Sequence, residues 1–261
     1  LADLIIFAGV PGSGKTSVIK NVIKYFNSVG YVKVDVFFSE DEKQLDIEHK
    51  KTELAKDICP DHYTAMLMED FLNWADINKT EHLIVETAGL CFRCSPYTKN
   101  SVAVAVVDAI GTDIRKLGPI IKYCDIVAVT KYDIISQSER DIIKHKIKMV
   151  NDSVDIIEVN GITGEGSYEL YKEIVQLIPE KRKEPFELRF VPPSAICEFC
   201  YGMVGLEKQK RREFITNVLK IAKKIPKLNC GACGYKTCND FLRKVVKGEE
   251  DPKRCIFYKE D

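Results

Sequence analysis

Eight residues, Gly9-Val10-Pro11-Gly12-Ser13-Gly14-Lys15-Thr16, constrain this chain more than any other stretch. They fit G-x-x-x-x-G-K-[ST], a loop whose backbone N–H groups cradle phosphate. Leu4-Ile5-Ile6-Phe7-Ala8 before it reads as a buried parallel strand. After it, Val18, Ile19, Val22 and Ile23 recur at helical spacing between Thr16 and Tyr25. Gly9, Gly12 and Gly14 let the backbone wrap an anion, and the helix N-terminus adds partial positive charge. In such a loop Lys15 reaches the β and γ phosphates and Thr16 offers its hydroxyl to Mg2+, with Ser13 and Ser17 beside them.

Up to about residue 178 the chain alternates apolar strands with helical segments, as α/β folds do. Strands are expected at Tyr31–Phe38, His82–Glu86, Ser101–Val107, Asp125–Val129 and Val154–Val159. The charged run from Asp41 to Asp57 is helix-compatible, Cys59-Pro60-Asp61-His62 interrupts, and Tyr63 to Trp74 is a helix. A final helix of the repeat ends at Ile178. Pro179, Pro185, Pro192 and Pro193 then mark a semi-rigid linker. The expected domains are therefore 1–178, a linker 179–195, and a cysteine-rich domain 196–261. The fold class is α/β, a mostly parallel sheet flanked by helices, plus the small cysteine-rich domain.

Net charge is zero, with 39 basic and 39 acidic residues, which argues against an electrostatic nucleic-acid binder. No stretch is long and apolar enough to span a membrane, and no signal peptide opens the chain, so a cytoplasmic protein is expected. Ten cysteines in a reducing compartment read as metal or redox sites rather than disulfides.

Thr130-Lys131-Tyr132-Asp133 resembles the [NT]-K-x-D motif of GTPases. An aspartate there accepts from the N1–H and exocyclic amine of guanine, a donor pair that adenine lacks, while the lysine stem lies along the base. Residues 1–178 as a whole resemble the GTPases that mature nickel and cobalt enzymes: the urease and hydrogenase nickel-insertion GTPases and the cobalamin-synthesis W proteins. Asp35-Val36-Phe37-Phe38-Ser39-Glu40-Asp41 is similar to a stretch of the urease GTPase. Glu86-Thr87-Ala88-Gly89 is similar to the family's Glu-x-x-Gly, and Thr163-Gly164-Glu165-Gly166 to the turn after its last strand. The resemblance implies that Asp35 and Glu86 help Thr16 hold Mg2+, that Gly89 senses the γ-phosphate, and that Asn160 and Gly161 flank the nucleotide. It also implies a nucleotide-gated homodimer that hydrolyses slowly alone, and the sequence itself has no evident catalytic glutamine after Gly89.

Cys59-Pro60-Asp61-His62 is similar to the urease GTPase's Cys-Pro-His nickel motif with Asp61 inserted, and its thiolate and imidazole suit Ni2+ or Zn2+. Two ligands do not close a site, so a second subunit would complete it. Cys91 and Cys94 form a C-x2-C pair just after Gly89, and Cys197 and Cys200 form another. Two such pairs make the four thiolates of a Zn2+ site or a second cluster, whether Cys91 and Cys94 meet Cys197 and Cys200 or the same pair of a second copy. Cys230, Cys233, Cys238 and Cys255 have spacing C-x2-C-x4-C-x16-C. This segment, about Leu228 to Phe257, resembles the small [4Fe–4S] domain of the corrinoid iron–sulfur protein and of the B subunit of the Rnf electron-transport complex.

The expected function is a GTP-hydrolysing, iron–sulfur-containing maturation factor for an apo-metalloenzyme. Two other readings stand beside it. One is a nucleotide-driven electron donor to a client such as a corrinoid protein. The other is a nucleotide-dependent metal sensor with negligible turnover.

Overall fold

In this computed structural model the described residues are 1–37, 39–55, 59–89, 94–190, 220–221, 224–226, 228–246 and 248–259. They divide into two units, Leu1–Val191 and Pro192–Asp261.

The first unit is built on seven strands: β1 (Asp3–Gly9), β2 (Val29–Asp35), β3 (His49–Leu54), β4 (His82–Thr87), β5 (Ser101–Asp108), β6 (Ile126–Thr130) and β7 (Asp155–Glu158). They form one sheet in the order β3-β2-β4-β1-β5-β6-β7, every pairing parallel. Both faces are covered, so the central strands read as continuous apolar runs rather than alternations. Ile5, Phe7, Val102 and Val104 pack against Val18, Ile19, Leu170 and Ile174 of helices α1 (Lys15–Val22) and α5 (Ser167–Lys181). On the other face Leu4, Ile6, Ala103 and Ala105 meet Phe71, Leu72, Ile120 and Ile147. Those come from α2 (Pro60–Ile77), α3 (Gly118–Lys122) and α4 (Gln137–Val150).

Three expectations change. The run 41–55 is not a helix: Asp41–Gln44 is a 3-10 turn and His49–Leu54 is β3. β3 lies at the sheet's edge and is half-buried, so it tolerates the polar sequence His-Lys-Lys-Thr-Glu-Leu that hid it. Lys51 lies over the rings of Phe71 and Trp74, at 5.1 and 5.2 Å. Cys59-Pro60-Asp61-His62 does not interrupt a helix but begins one. Cys59 is the N-cap of α2, and Pro60 takes the first helical position, where its missing N–H costs nothing.

The third change is at the linker. α5 runs through Pro179 to Lys181, and the chain then packs back onto the first unit. Thr98 and Leu188 form an antiparallel bridge, and Lys99 N–H donates to Glu187 O at 2.7 Å. Arg189 is the anchor. Its guanidinium donates to Thr98 O (2.9 Å), Tyr123 O (2.9 Å), Ser101 O and both carboxylate oxygens of Asp125 (2.9 and 2.7 Å). Residues 179–190 therefore belong to the sheet unit rather than to a linker.

In the second unit, α6 (Cys238–Val246) buries Phe241, Leu242 and Val245 with Ile225, Cys233 and Cys255. Thr237 Oγ1 accepts from Asp240 N–H at 3.1 Å at its start. No helix among the described residues is long and apolar enough to cross a membrane.

Candidate functional site

The candidate residues gather at the C-terminal edge of the sheet, where open α/β sheets bind ligands. Gly14 takes a left-handed conformation (φ 87°) to end the loop after β1 and start α1. Gly89, after β4, is held equally tightly. At φ 68°, a Cβ there would stand 1.7 Å from Gly9 O, so only glycine allows the two loops to touch.

A cavity of about 550 Å3 opens between these loops. Gly12, Lys15, Thr16, Asp35, Glu86 and Lys131 are among the residues that line it. Lys15 Nζ donates to Gly9 O (3.0 Å) and Val10 O (2.9 Å), both in its own loop. Burial lowers the Lys15 pKa to about 8, with Glu86 pulling the other way. Thr16 Oγ1 donates to Glu86 (2.8 Å to Oε1, 3.1 Å to Oε2) and lies 3.3 Å from Asp41 Oδ2. Asp35 is half-buried at the cavity wall, where its carboxylate accepts from Val36 N–H at 2.7 Å.

Three residues of this cluster escaped the sequence reading: Tyr31, Lys33 and Asp41. Tyr31 OH donates to Glu86 Oε2 at 2.7 Å, and Lys33 Nζ donates to Glu86 Oε1. Lys33 also pairs with Asp41 Oδ2 at 2.9 Å. Burial opposes the charge on Lys33, but Glu86 and Asp41 outweigh it and hold its pKa above the ordinary value. Partial burial likewise works against the Asp41 carboxylate, while Lys33 and Thr16 bring its pKa below the usual range. For Lys33 the local signal was a lysine between Val32 and Val34 in an otherwise apolar strand, while Asp41 closes the stretch Asp35–Asp41 quoted above without a role of its own.

Residues expected at the base sit on neighbouring strand ends. Lys131 adopts φ 56° and donates from Nζ to Gly12 O at 2.9 Å, across the loop. Thr130 Oγ1 donates to Ser13 O at 2.7 Å. Asp133 is exposed in the turn Tyr132–Ile134. Asn160 Oδ1 accepts from Ile162 and Thr163 N–H (2.9 and 3.0 Å), folding the turn after β7. Gly161 O accepts from Asn21 of α1 at 2.9 Å, and a Cβ at Gly161 would meet Ser17 Cβ at 3.0 Å.

Of the cysteines expected to bind metal, Cys59, Cys94, Cys230, Cys233, Cys238 and Cys255 are among the described residues. His62, buried on the first turn of α2, has Nε2 at 3.9 Å from Cys94 Sγ. Two motifs read separately thus meet, with Cys59 capping the same helix. Cys91, Cys197 and Cys200 lie outside the described residues. Among the described residues, no three His, Cys, Asp or Glu side chains converge on a single ion position. Cys230, Cys233, Cys238 and Cys255 instead line one cavity, with Gly231 and Gly234 at φ 74° and 85° bending the loop between them. Four cysteines around one small cavity match the donor set of a four-iron cluster, which takes one cysteine per iron.

Comparison with known proteins follows this division. Residues 3–158 match the family described as CobW/HypB/UreG, nucleotide-binding domain, and residues 225–257 match a family described as an Fe-S cluster. An uncharacterized protein of Methanocaldococcus jannaschii is 40% identical over 225 residues, covering 82% of this chain and 94% of that one. A stretch of 31 residues is 55% identical to the gamma subunit of the acetyl-CoA decarbonylase/synthase complex of Methanopyrus kandleri, 12% of this chain and 7% of that subunit. HypB from Helicobacter pylori in complex with nickel superposes with a TM-score of 0.56 at 14% identity, over 72% of this chain and 91% of that one. The hydrogenase maturation factor HypB from Archaeoglobus fulgidus gives 0.52 at 18% identity, over 67% and 91%. With that fold, the glycine-shaped loop and a sequence match over most of the sheet unit, the chain belongs to the CobW/HypB/UreG family of nucleotide-binding proteins and carries an Fe–S family segment at its C-terminal end.

Proposed function

We propose that the protein hydrolyses GTP and uses the nucleotide cycle to mature a metalloenzyme. The observation that carries this reading is the cluster of Lys15, Thr16 and Glu86 on the wall of one large cavity at the sheet's C-terminal edge. Lys15 would exchange its carbonyl partners for β and γ phosphate oxygens, which suits an ammonium whose burial otherwise disfavours its charge. Thr16 and Glu86, with Asp35 directly or through water, would hold Mg2+, which neutralises developing charge on the phosphates when bound. Gly89 would present its N–H to the γ-phosphate, so its tight contact with Gly9 ties the loop after β4 to the phosphate loop. Lys131 would lie along the base and Asp133 would accept from guanine.

The metal arm of the proposal rests on His62 and Cys94. An imidazole and a thiolate from two elements suit Ni2+ or Zn2+ cargo, completed by Cys59 or by a second copy of the chain. Cys230, Cys233, Cys238 and Cys255 would hold a [4Fe–4S] cluster, which supplies one-electron transfer when bound. The likeness of a short stretch to an acetyl-CoA decarbonylase/synthase subunit favours a second reading, in which the cluster donates electrons to a client of that kind.

Competition binding and phosphate release test the first reading. A guanine-specific acceptor is worth about 1–3 kcal/mol, so GTP should outcompete ATP by roughly 5- to 150-fold, and Asp133→Ala should erase the difference. Lys15→Ala should abolish phosphate release. Equal binding of ATP and GTP by the unaltered protein would sink the guanine assignment. Transfer of nickel or zinc to an apo-client would favour maturation, and nucleotide-dependent client reduction the electron-donor reading.

A further inference from the structure

Lys33 occupies a place where a lysine is costly. It lies in the interior of β2, between Val32 and Val34, and is only 4% exposed. The parallel register sets it directly opposite Glu86 on β4, so the pairing follows from the sheet itself. Its ammonium donates to Glu86 Oε1 and pairs with Asp41 Oδ2 at 2.9 Å. Thr16 Oγ1 reaches the same two oxygens, at 2.8 and 3.3 Å. Two carboxylates and a hydroxyl are the hard oxygen ligands that Mg2+ seeks. A fixed monovalent cation already holds them.

We propose that Lys33 is a positioning residue that makes Mg2+ loading conditional on nucleotide: its ammonium is the resident counter-cation of Glu86 and Asp41. The proposal rests on the phosphate-site reading above. Lys33 cannot swing clear, because its stem is buried in the sheet. A free divalent cation approaching Glu86 and Asp41 therefore meets an ammonium within hydrogen-bond range, and the repulsion opposes it. Nucleotide phosphates change the balance. They bring enough negative charge to satisfy Lys15, Lys33 and Mg2+ together, so metal and nucleotide enter as a pair. Asp41 begins the turn Asp41–Gln44 in the connection from β2 to β3, so the same ammonium also tethers that connection to the sheet until the metal arrives.

The test uses the full chain and Mn2+ as a spectroscopic probe for Mg2+, with and without GDP. An opposite charge at this range alters a carboxylate's affinity for a cation by about one to three decades. Without nucleotide, Lys33→Met should therefore bind Mn2+ at least about 10-fold more tightly than the unaltered protein. Millimolar Mg2+ should raise the unfolding temperature of Lys33→Met and leave that of the unaltered chain nearly unchanged. Lys33→Arg should restore the original weak metal binding. Lys33→Met/Glu86→Gln, which removes both charges and so keeps the sheet neutral, should lose the gain. Should Lys33→Met fold poorly, Mg2+ alone should rescue it. The assignment is overturned by equal or weaker Mn2+ affinity in Lys33→Met, or by a gain that survives in the double variant. Failure of the unaltered chain to bind GDP with Mg2+ would instead remove the phosphate-site reading.

Discussion

Glu86 is 1% exposed and accepts from Thr16, Tyr31 and Lys33, so the most buried carboxylate of the site is also the most heavily bonded. Lys15 is the opposite case. Its ammonium is equally enclosed but faces two carbonyl oxygens and no direct carboxylate among the described residues. A pKa lowered from 10.5 to about 8 means that the folded state binds this proton less tightly than the unfolded chain does. Below pH 8 both states are protonated and the cost is felt in full. As pH rises from about 8 to 10.5 the folded state releases the proton first, and stability recovers. Lys15→Met should therefore gain an electrostatic margin on the order of 3 kcal/mol near pH 7 in the nucleotide-free protein, reduced by the two hydrogen bonds to Gly9 O and Val10 O that it gives up. That advantage should shrink as pH climbs above 8, and nucleotide binding should be lost. Denaturant melts of both proteins at pH 7 and pH 10 would show it. An advantage that grows with pH would refute the electrostatic account.

Among the elements, the segment after α5 carries the clearest consequence. Arg189 and Lys181 share Asp125, which begins the approach to β6 and also accepts from Ala103 N–H at 2.8 Å. One aspartate thus joins β5, α5 and the returning segment. Arg189→Ala removes the guanidinium's bonds to that carboxylate and to three carbonyl oxygens while Lys181 and Ala103 N–H still hold Asp125, at a cost of about 1–3 kcal/mol. Limited trypsin digestion should then cut between 182 and 190 at a rate that the unaltered protein does not show. Arg189→Lys should not rescue it, since an ammonium lacks the planar fork that spans Asp125, Thr98 and Tyr123. Composition hid this segment because prolines and charges mark linkers statistically, whereas a single arginine can fold such a stretch onto a sheet. β3 was hidden for a related reason: an edge strand needs only one buried face, and His49–Leu54 buries none completely.

For the molecule as a whole, the division into two units predicts two separable cofactor sites. In the full chain, Cys230→Ser or Cys238→Ser should lose iron and acid-labile sulfide after anaerobic reconstitution while GDP affinity stays within a factor of about two of the original, as expected where each site is built within its own unit. Zinc alone, with no sulfide and no charge-transfer absorption, would refute the cluster. What the amino-acid sequence determined by itself is whatever depends on local spacing. Continuous apolar runs were enough for β1, β4, β5 and β6, because strands buried on both faces are built mostly of apolar residues. The glycines and Lys15-Thr16 were enough for the phosphate loop, because its geometry closes within eight residues. Only the tertiary structure decided which distant residues share a site. Lys33 faces Glu86 through strand register, and His62 meets Cys94 through the packing of α2. Neither contact leaves a periodic trace in the chain, since each joins residues more than thirty positions apart that become neighbours only when the sheet and its helices assemble.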